Sequence, residues 1–278
     1  MAEHPVDVAG GPREDPPTDD DYVVVSTSQD GVRTVRLNRP ASRNALSAPL
    51  RAALMTALTE AASDPVVRCV VVRGDRRAFC AGGDVKGMNP GEPPLATVRR
   101  LDTAAAMVRT VYDLPKPVIA AVEGPAVGAG LSLVLACDIV VAAEGATFCA
   151  AFVKRGLVPD TGLSYLLARS IGAARTKYLV MTGETFGAEA AEAMGMVAVR
   201  CSVEEFEDRL GTLAASLASG ATGALGLTKR MLNRALEIDL ESALTLEAFG
   251  QAVARTTEDH EASVRSFAAK EPPHFVGR

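Results

Sequence analysis

The stretch that decides the fold is KPVIAAVEGPAVGAGLSLVLACD, residues 116–138. Its first third is short, apolar and β-branched, and it is bounded by Pro117 and Gly124, a pattern typical of a strand buried on both faces. The small residues 128–130 and six uncharged residues after them predict a tight turn that opens a helix buried on all sides. The chain therefore passes from a buried strand to a buried helix through residues that let another molecule approach closely.

The first amides of a helix have no acceptor within the helix, so this turn can stabilise a partly negative oxygen. Alone, such a turn is more often tight packing of a helix on a strand. A second stretch, RAFCAGGD at residues 77–84, also follows a predicted buried strand, residues 69–74, and again places small residues where the chain leaves the sheet. The first turn could hold an oxyanion at the start of its helix, and the second stretch repeats its pattern of small residues after a strand.

Composition excludes several classes of function. The chain has 278 residues, of which 48% are hydrophobic, so it can bury a full core. Its net charge of -5 and the lack of a basic patch with interleaved aromatic residues give no reason to expect a nucleic-acid partner. No uninterrupted apolar run is long enough to cross a membrane, and the N-terminus carries no leader pattern, so we expect a cytoplasmic protein without a membrane partner.

The five cysteines are scattered, which favours buried thiols over disulfides and gives no metal-ligand spacing. The three histidines lie outside the motifs, so we expect no metal site and assign no histidine to catalysis.

The order of predicted elements indicates an α/β fold. Residues 1–20 are rich in proline and acidic residues, and we expect a disordered tail there. A hairpin is predicted for residues 22–37, and Ser47 is a predicted N-cap of a helix that ends near residue 63. Strands then alternate with helices up to about residue 200, which indicates largely parallel strands. We expect a core over residues 21–200 and a helical region over residues 201–278.

Five motifs occur in an order and spacing that resemble those of the crotonase superfamily, the enoyl-CoA hydratases and isomerases. They are PASRNAL at 40–46, AFCAGGD at 78–84, PVIAAVEG at 117–124, Cys137-Asp138, and SFAAK at 266–270. The resemblance implies a spiral of ββα repeats, with a C-terminal helical region that forms trimers, usually paired into hexamers. It also implies an acyl-CoA substrate and no cofactor other than the coenzyme A that the substrate carries.

The resemblance also implies roles for individual residues. The amides of Gly83 and Ala129 would hold the thioester carbonyl. Residues expected around the substrate are Arg43, Ala81, Lys86, Gly128, Ser132 and Phe152. Phe267 and Lys270 match a C-terminal pair that approaches coenzyme A in relatives, although a surface helix end explains them equally well.

The sequence departs from the hydratase pattern at two positions. Hydratases carry two glutamates, and the corresponding positions here hold Ser132 and Phe152. A hydroxyl and a phenyl ring cannot replace two carboxylates that position water, deprotonate it and deliver a proton. A hydratase mechanism of the usual kind is therefore not expected.

Asp160 is the candidate acid–base residue. Its place before Thr161 and Gly162 also suits an N-cap of the following helix. The resemblance favours catalysis, because single-aspartate isomerases, such as those acting on ring-epoxidised phenylacetyl-CoA, carry their carboxylate at this position. We predict that Asp160 shifts a double bond in an enoyl-CoA. The alternatives are nucleophilic attack by Asp160, as in hydrolases and dehalogenases, hydration by another route, and a catalytically idle acyl-CoA-binding subunit.

Overall fold

The computed structural model describes residues 21–84 and 91–278. The tail predicted for residues 1–20 and the candidate Lys86 lie outside the described residues. Within the described part, no single helix is long and apolar enough to cross a membrane. The helices Phe206–Ala218 and Thr222–Arg234 reach that length and composition only as a pair, and they are bent by 102° relative to each other.

The described residues contain strands and helices in an alternating order. The strands are β1 Val23–Thr27, β2 Val32–Leu37, β3 Cys69–Arg73, β4 Val118–Val122, β5 Ala126–Val127, β6 Ile139–Ala143, β7 Thr147–Cys149, β8 Thr185–Gly187 and β9 Val199–Cys201. The helices are α1 Ala48–Ser63, α2 Pro94–Tyr112, α3 Ala129–Ala136, α4 Leu163–Ile171, α5 Ala173–Thr182, α6 Ala188–Ala193, α7 Phe206–Ala218, α8 Thr222–Arg234, α9 Leu240–Ala254 and α10 Glu258–Ala269.

A six-stranded sheet in the order β1-β2-β3-β4-β6-β9 forms the centre of the molecule. The β1–β2 hairpin is antiparallel, as predicted, and all other pairs are parallel. Alternate residues of each strand face opposite sides of the sheet. Because both sides are covered, β4 is apolar throughout and β3 is apolar up to its last residue, Arg73. On one side Val70 and Val118 pack in the main core, and on the other Val71 and Ile119 pack under α7.

A second, smaller layer of strand pairing gives the chain its spiral form. Parallel bridges join Leu46 to Gly83 and Cys80 to Ala126, and β5 continues into the three-stranded sheet β5-β7-β8. Each turn of the spiral thus contributes one strand to the large sheet, one extended segment to the small layer, and one helix. The ββα spiral expected from the resemblance is confirmed, and it places the small-layer segments of successive turns side by side.

The boundary expected at residue 201, between the core and the C-terminal helical region, stays a prediction. That boundary falls inside β9, which pairs with β6, and α7 buries Phe206 and Leu210 against the large sheet. Beyond α7, large apolar side chains lie exposed on the surface of this chain. They are Leu232, Leu236, Leu240, Leu244, Phe249, Val253, Val264 and Phe267. Trimer formation through this region stays a prediction.

Candidate active site

A cavity of about 440 Å³ lies where the small-layer segments meet the first turn of α1 and one face of α2. Its volume is within the usual range for pockets that bind small molecules. Five parts of the chain form its wall. They are the segment Leu46, Ser47, Ala48 and Arg51, the turn 81–84, the residues Arg100, Leu101 and Ala104 of α2, the turn 127–129, and six residues between 151 and 161.

The turn 81–84 is held by the preceding motif at residues 39–46. The Ala81 amide donates to the carbonyl of Arg43 at 2.9 Å, and the Leu46 amide donates to the carbonyl of Gly82 at 2.8 Å. Asn44 is fully buried, and its side-chain amide donates to the carbonyls of Ala78 and Phe79. The motif therefore fixes the position of Gly83 through main-chain contacts.

The turn 127–129, where α3 begins, packs directly against the turn 81–84. Two glycines, Gly82 and Gly130, make this close contact possible. A Cβ atom on Gly130 would be 2.4 Å from the carbonyl oxygen of Cys80. A Cβ atom on Gly82, whose φ is +94°, would be 2.7 Å from the carbonyl oxygen of Val127. Both distances are too short for a real side chain, so glycine is required for the two turns to share one wall.

The two predicted oxyanion donors are free to bind a ligand. Gly83 and Ala129 both line the cavity, and neither amide donates a hydrogen bond within the part of the chain that the structure describes. Ala129 is the first residue of α3, so its amide also lies at the positive end of the helix dipole. The arrangement can stabilise negative charge that develops on a carbonyl oxygen.

Asp160 lines the same cavity and does not cap α4. The N-cap of α4 is Gly162, without a side-chain cap, and the Asp160 backbone carbonyl accepts from the Leu163 amide instead. The carboxylate accepts a hydrogen bond from the Thr161 hydroxyl at 3.1 Å. Thr161 is buried with a φ of +49°, which is unfavourable for a β-branched residue. Such strain is common at functional sites.

The surroundings of Asp160 make it a stronger base than an ordinary aspartate. Burial raises the pKa of Asp160, and the Thr161 hydroxyl and the positive charges of Arg100 and Arg51 act in the opposite direction with smaller effect. A carboxylate in this environment is suited to accepting a proton and returning it.

The structure brings most, but not all, of the predicted site residues to the cavity. Ala81, Gly128 and Phe152 line it, together with the two amides and Asp160. Ser132 is fully buried outside the lining, and its hydroxyl donates to the backbone carbonyl of Asp160 at 3.4 Å.

Three further predicted residues are exposed and do not line the cavity. The Arg43 side chain is exposed, while its carbonyl holds the turn 81–84. Phe267 is 88% exposed and Lys270 follows it at the end of α10. Within this chain, these side chains do not form part of the cavity wall.

The other acidic groups near the motifs are held in hydrogen bonds and ion pairs, and the Cys80 thiol is buried. Asp138 accepts from the Val118 amide and pairs with Lys229, and Glu123 pairs with Arg73 and Arg76. Burial raises the pKa of the Cys80 thiol to about 12, so Cys80 is unreactive at neutral pH. Among the described residues there is no cluster of side chains able to hold a metal ion.

Sequence reasoning missed the basic residues of the cavity wall. Arg51 lies one turn into α1, Arg100 lies on α2, and Arg155 follows Phe152 in a short 3-10 helix. The sequence holds one signal for Arg51, which is its position near the N-terminus of a predicted helix. A cation there opposes the helix dipole and therefore suggests a role other than helix stability. The proximity of Arg51 to Arg100 depends on how α1 packs on α2, which the sequence pattern did not define.

The comparison with known families agrees with this arrangement. The family model described as enoyl-CoA hydratase/isomerase matches residues 27–278. The chain belongs to the enoyl-CoA hydratase/isomerase family.

Two relatives and one solved structure show how far the similarity extends. The 1,2-epoxyphenylacetyl-CoA isomerase of Escherichia coli is 38% identical, covering 92% of this chain and 98% of the relative. A probable enoyl-CoA hydratase of Rhodobacter capsulatus is 37% identical, covering 90% of this chain and 96% of the relative. The crystal structure of an enoyl-CoA hydratase from Bacillus anthracis superposes with a TM-score of 0.87 at 31% identity, covering 92% of this chain and 100% of that structure. The enoyl-CoA hydratase/isomerase fold expected from the sequence is thereby confirmed.

Proposed function

We propose that this chain is an enoyl-CoA isomerase that moves a double bond with one carboxylate, Asp160. The observation that carries the proposal is that Asp160 lines the same cavity as the free amides of Gly83 and Ala129. Its carboxylate does not cap α4, because Gly162 occupies the N-cap position. The proposed substrate is a 3-enoyl-CoA thioester, and its coenzyme A moiety is the only cofactor-like group that the reaction needs.

The proposed mechanism has two proton transfers. The Asp160 carboxylate removes a proton from C2 of the 3-enoyl thioester, and the electron pair of that C–H bond moves into a dienolate. The negative charge on the thioester oxygen is stabilised by the amides of Gly83 and Ala129; one such donor is typically worth about 2.7–4 kcal/mol of barrier. Asp160 then returns the proton to C4, which gives the conjugated 2-enoyl thioester.

One base is sufficient because the proton leaves and returns on the same face of the acyl chain. Burial favours the first step, since a carboxylate whose pKa is raised accepts a proton more readily than an exposed one, and the dienolate is basic enough to take the proton back in the second step. The Thr161 hydroxyl keeps the carboxylate in one orientation.

The two positions that hold glutamates in hydratases support isomerisation over hydration. Phe152 places a buried phenyl ring on the cavity wall, and Ser132 is fully buried and does not line the cavity. No second carboxylate stands at these positions to activate water. The isomerase of Escherichia coli among the relatives is compatible with this proposal, whereas other relatives are named hydratases.

The test is an absorbance assay for the conjugated enoyl thioester, with straight-chain and branched 3-enoyl-CoA substrates. We expect conversion by the parent protein and a loss of at least about a hundredfold in Asp160→Asn, because general acid–base groups typically contribute at this level. Binding of a saturated acyl-CoA, measured by calorimetry, is the control and should persist in the variant.

Three outcomes would contradict the proposal. Hydration of a 2-enoyl-CoA that persists in Asp160→Asn would indicate a hydratase with another water-activating group. A covalent acyl or aryl adduct on Asp160, detected by mass spectrometry, would indicate nucleophilic catalysis. Binding of acyl-CoA without any turnover would indicate an idle binding subunit.

A further inference from the structure

Two arginines, Arg51 and Arg100, lie in the cavity wall close to Asp160. Both are near enough to influence its charge. The other acidic residue of the wall, Asp84, is paired with Arg39 at 3.1 Å. Asp160 is therefore the one carboxylate of the described wall that faces this pair of cations.

The Arg51 side chain is held in place but is not neutralised. One terminal nitrogen donates to the carbonyl oxygen of Leu46 at 2.7 Å. The Nε atom is buried and has no hydrogen-bond partner among the described residues. Within the same residues no carboxylate lies within the 4 Å of an ion pair with Arg51. A buried polar atom without a partner is uncommon and requires an explanation.

Two features make the positive charge of Arg51 unfavourable in the folded chain. Burial and repulsion from Arg100 lower the pKa of Arg51, and the attraction of Asp160 compensates only in part. Arg51 also lies near the N-terminus of α1, where the helix dipole disfavours a positive charge. Arg100 keeps one partner, Glu92 at 3.2 Å, and its side chain is 39% exposed.

We propose that Arg51 and Arg100 bind a carboxylate at the far end of the acyl group, so that the substrate is an enoyl-CoA whose acyl chain ends in a carboxylate. This inference rests on the proposed acyl-CoA site, and it adds the substrate class. A guanidinium group donates two parallel hydrogen bonds to a carboxylate, and such charge-assisted bonds are among the stronger ones in proteins. The ligand anion relieves the repulsion between the two arginines.

The phosphates of coenzyme A are a second source of negative charge, but the position of the arginines favours the acyl end. Both guanidinium groups interact with Asp160, the residue proposed to act on the acyl carbons. The apolar residues Leu101 and Ala104 continue the wall beside Arg100 and suit the methylene groups of an acyl chain.

The experiment compares two saturated thioesters, hexanoyl-CoA and adipoyl-CoA, which differ by a terminal methyl or carboxylate group. Calorimetry should show roughly ten- to hundredfold tighter binding of adipoyl-CoA to the parent protein, the range expected of hydrogen bonds to a charged group. Arg51→Met and Arg100→Met should each remove most of this preference. Arg155→Met is the matched control: it removes a cation from the same wall and should change both affinities by the same factor.

Saturated thioesters cannot be isomerised, so this measurement is independent of the proposed activity. Equal or weaker binding of adipoyl-CoA to the parent would overturn the inference. Equal weakening of both ligands in Arg51→Met and Arg100→Met would also overturn it, because it would assign the arginines to coenzyme A. Arg51→Met loses the hydrogen bond to the Leu46 carbonyl. If this variant does not fold, the binding preference of Arg100→Met alone tests the inference. Turnover of a neutral 3-hexenoyl-CoA in the same preparation tests the isomerase proposal separately.

Discussion

Asp160 combines burial, a strained neighbour and two nearby cations. Burial disfavours the charged carboxylate, and Thr161 beside it adopts a left-handed backbone conformation that costs of order 1–3 kcal/mol. Neither feature helps the chain to fold. Both make sense where a carboxylate must face a cavity and exchange a proton with a bound molecule.

The direction of the pKa shift gives a prediction for the pH dependence of the reaction. Asp160 must be ionised to accept a proton, so activity falls as the pH decreases through its pKa. Because burial raises this pKa, kcat/KM for a neutral 3-enoyl-CoA should reach half its maximum at a pH above the ordinary aspartate value of about 3.9.

Removing a nearby cation should shift this profile further. Arg100 favours the ionised form of Asp160, so Arg100→Met should move the acid limb of the kcat/KM profile to higher pH. Arg155→Met is the comparison variant and should move the limb less, since Arg100 and Arg51 are the charges that lower the pKa of Asp160. An acid limb that does not move in Arg100→Met would assign the titration to another group.

At the scale of the elements, the sequence predicted the parts whose signal is local. The β1–β2 hairpin, the Ser47 cap of α1 and the strand-turn-helix of residues 116–138 are confirmed. Each depends on neighbours in the sequence: a turn residue, a capping hydroxyl, or a run of buried residues. The two turns, 81–84 and 127–129, were predicted from the same kind of local signal, since small residues follow buried strands, and their role as oxyanion donors stays a prediction.

The parts that sequence reasoning missed depend on contacts between distant elements. Arg51 and Arg100 share a wall only because α1 packs against α2. The contact of Ser132 with the carbonyl of Asp160, rather than with the cavity, depends on the position of α3 beside the loop before α4. The sequence pattern also suited Asp160 as the N-cap of α4. In the structure Gly162, with a left-handed backbone conformation, occupies that position.

The close approach of α3 to the turn 81–84 gives a prediction at this scale. In Gly130→Ala, the new methyl group would lie 2.4 Å from the Cys80 carbonyl oxygen, so α3 must move away. We expect a loss of about 1–3 kcal/mol of stability by overpacking. Displacing the Ala129 amide from Gly83 should also lower kcat by about a hundredfold.

Gly211→Ala is the matched control, measured by chemical denaturation and the same enoyl-CoA assay. Gly211 is exposed in the middle of α7, and a Cβ atom there meets nothing within 4 Å. Alanine should stabilise this helix by up to about 1 kcal/mol without changing the rate. A Gly130→Ala protein with parental stability and kcat would show that the contact does not position the amides.

For the whole molecule, one buried ion pair connects the C-terminal helices to the centre of the sheet. Lys229 of α8 is 9% exposed, and its ammonium lies 2.9 Å from the Asp138 carboxylate, which also accepts from the first amide of β4. The same ammonium donates to the carbonyl of Val111 at the end of α2. The pair therefore joins α8 to α2 and β4, the helix and the strand that precede the turn 127–129 in sequence.

Breaking this pair from one side should destabilise the fold more than removing it as a unit. Burial raises the pKa of Asp138, and Lys229 opposes that rise, so Lys229→Met leaves a poorly solvated carboxylate. We expect a loss of about 3 kcal/mol in the free energy of unfolding, toward the low end for a broken buried pair because Asp138 keeps some contact with solvent. Asp138→Asn with Lys229→Met should recover part of this loss, since an amide still accepts from the Val118 amide. Denaturant unfolding of the parent, Lys229→Met, Asp138→Asn and the double variant gives the coupling energy. Losses that simply add would mean that the two side chains act independently and that α8 is held by its apolar contacts.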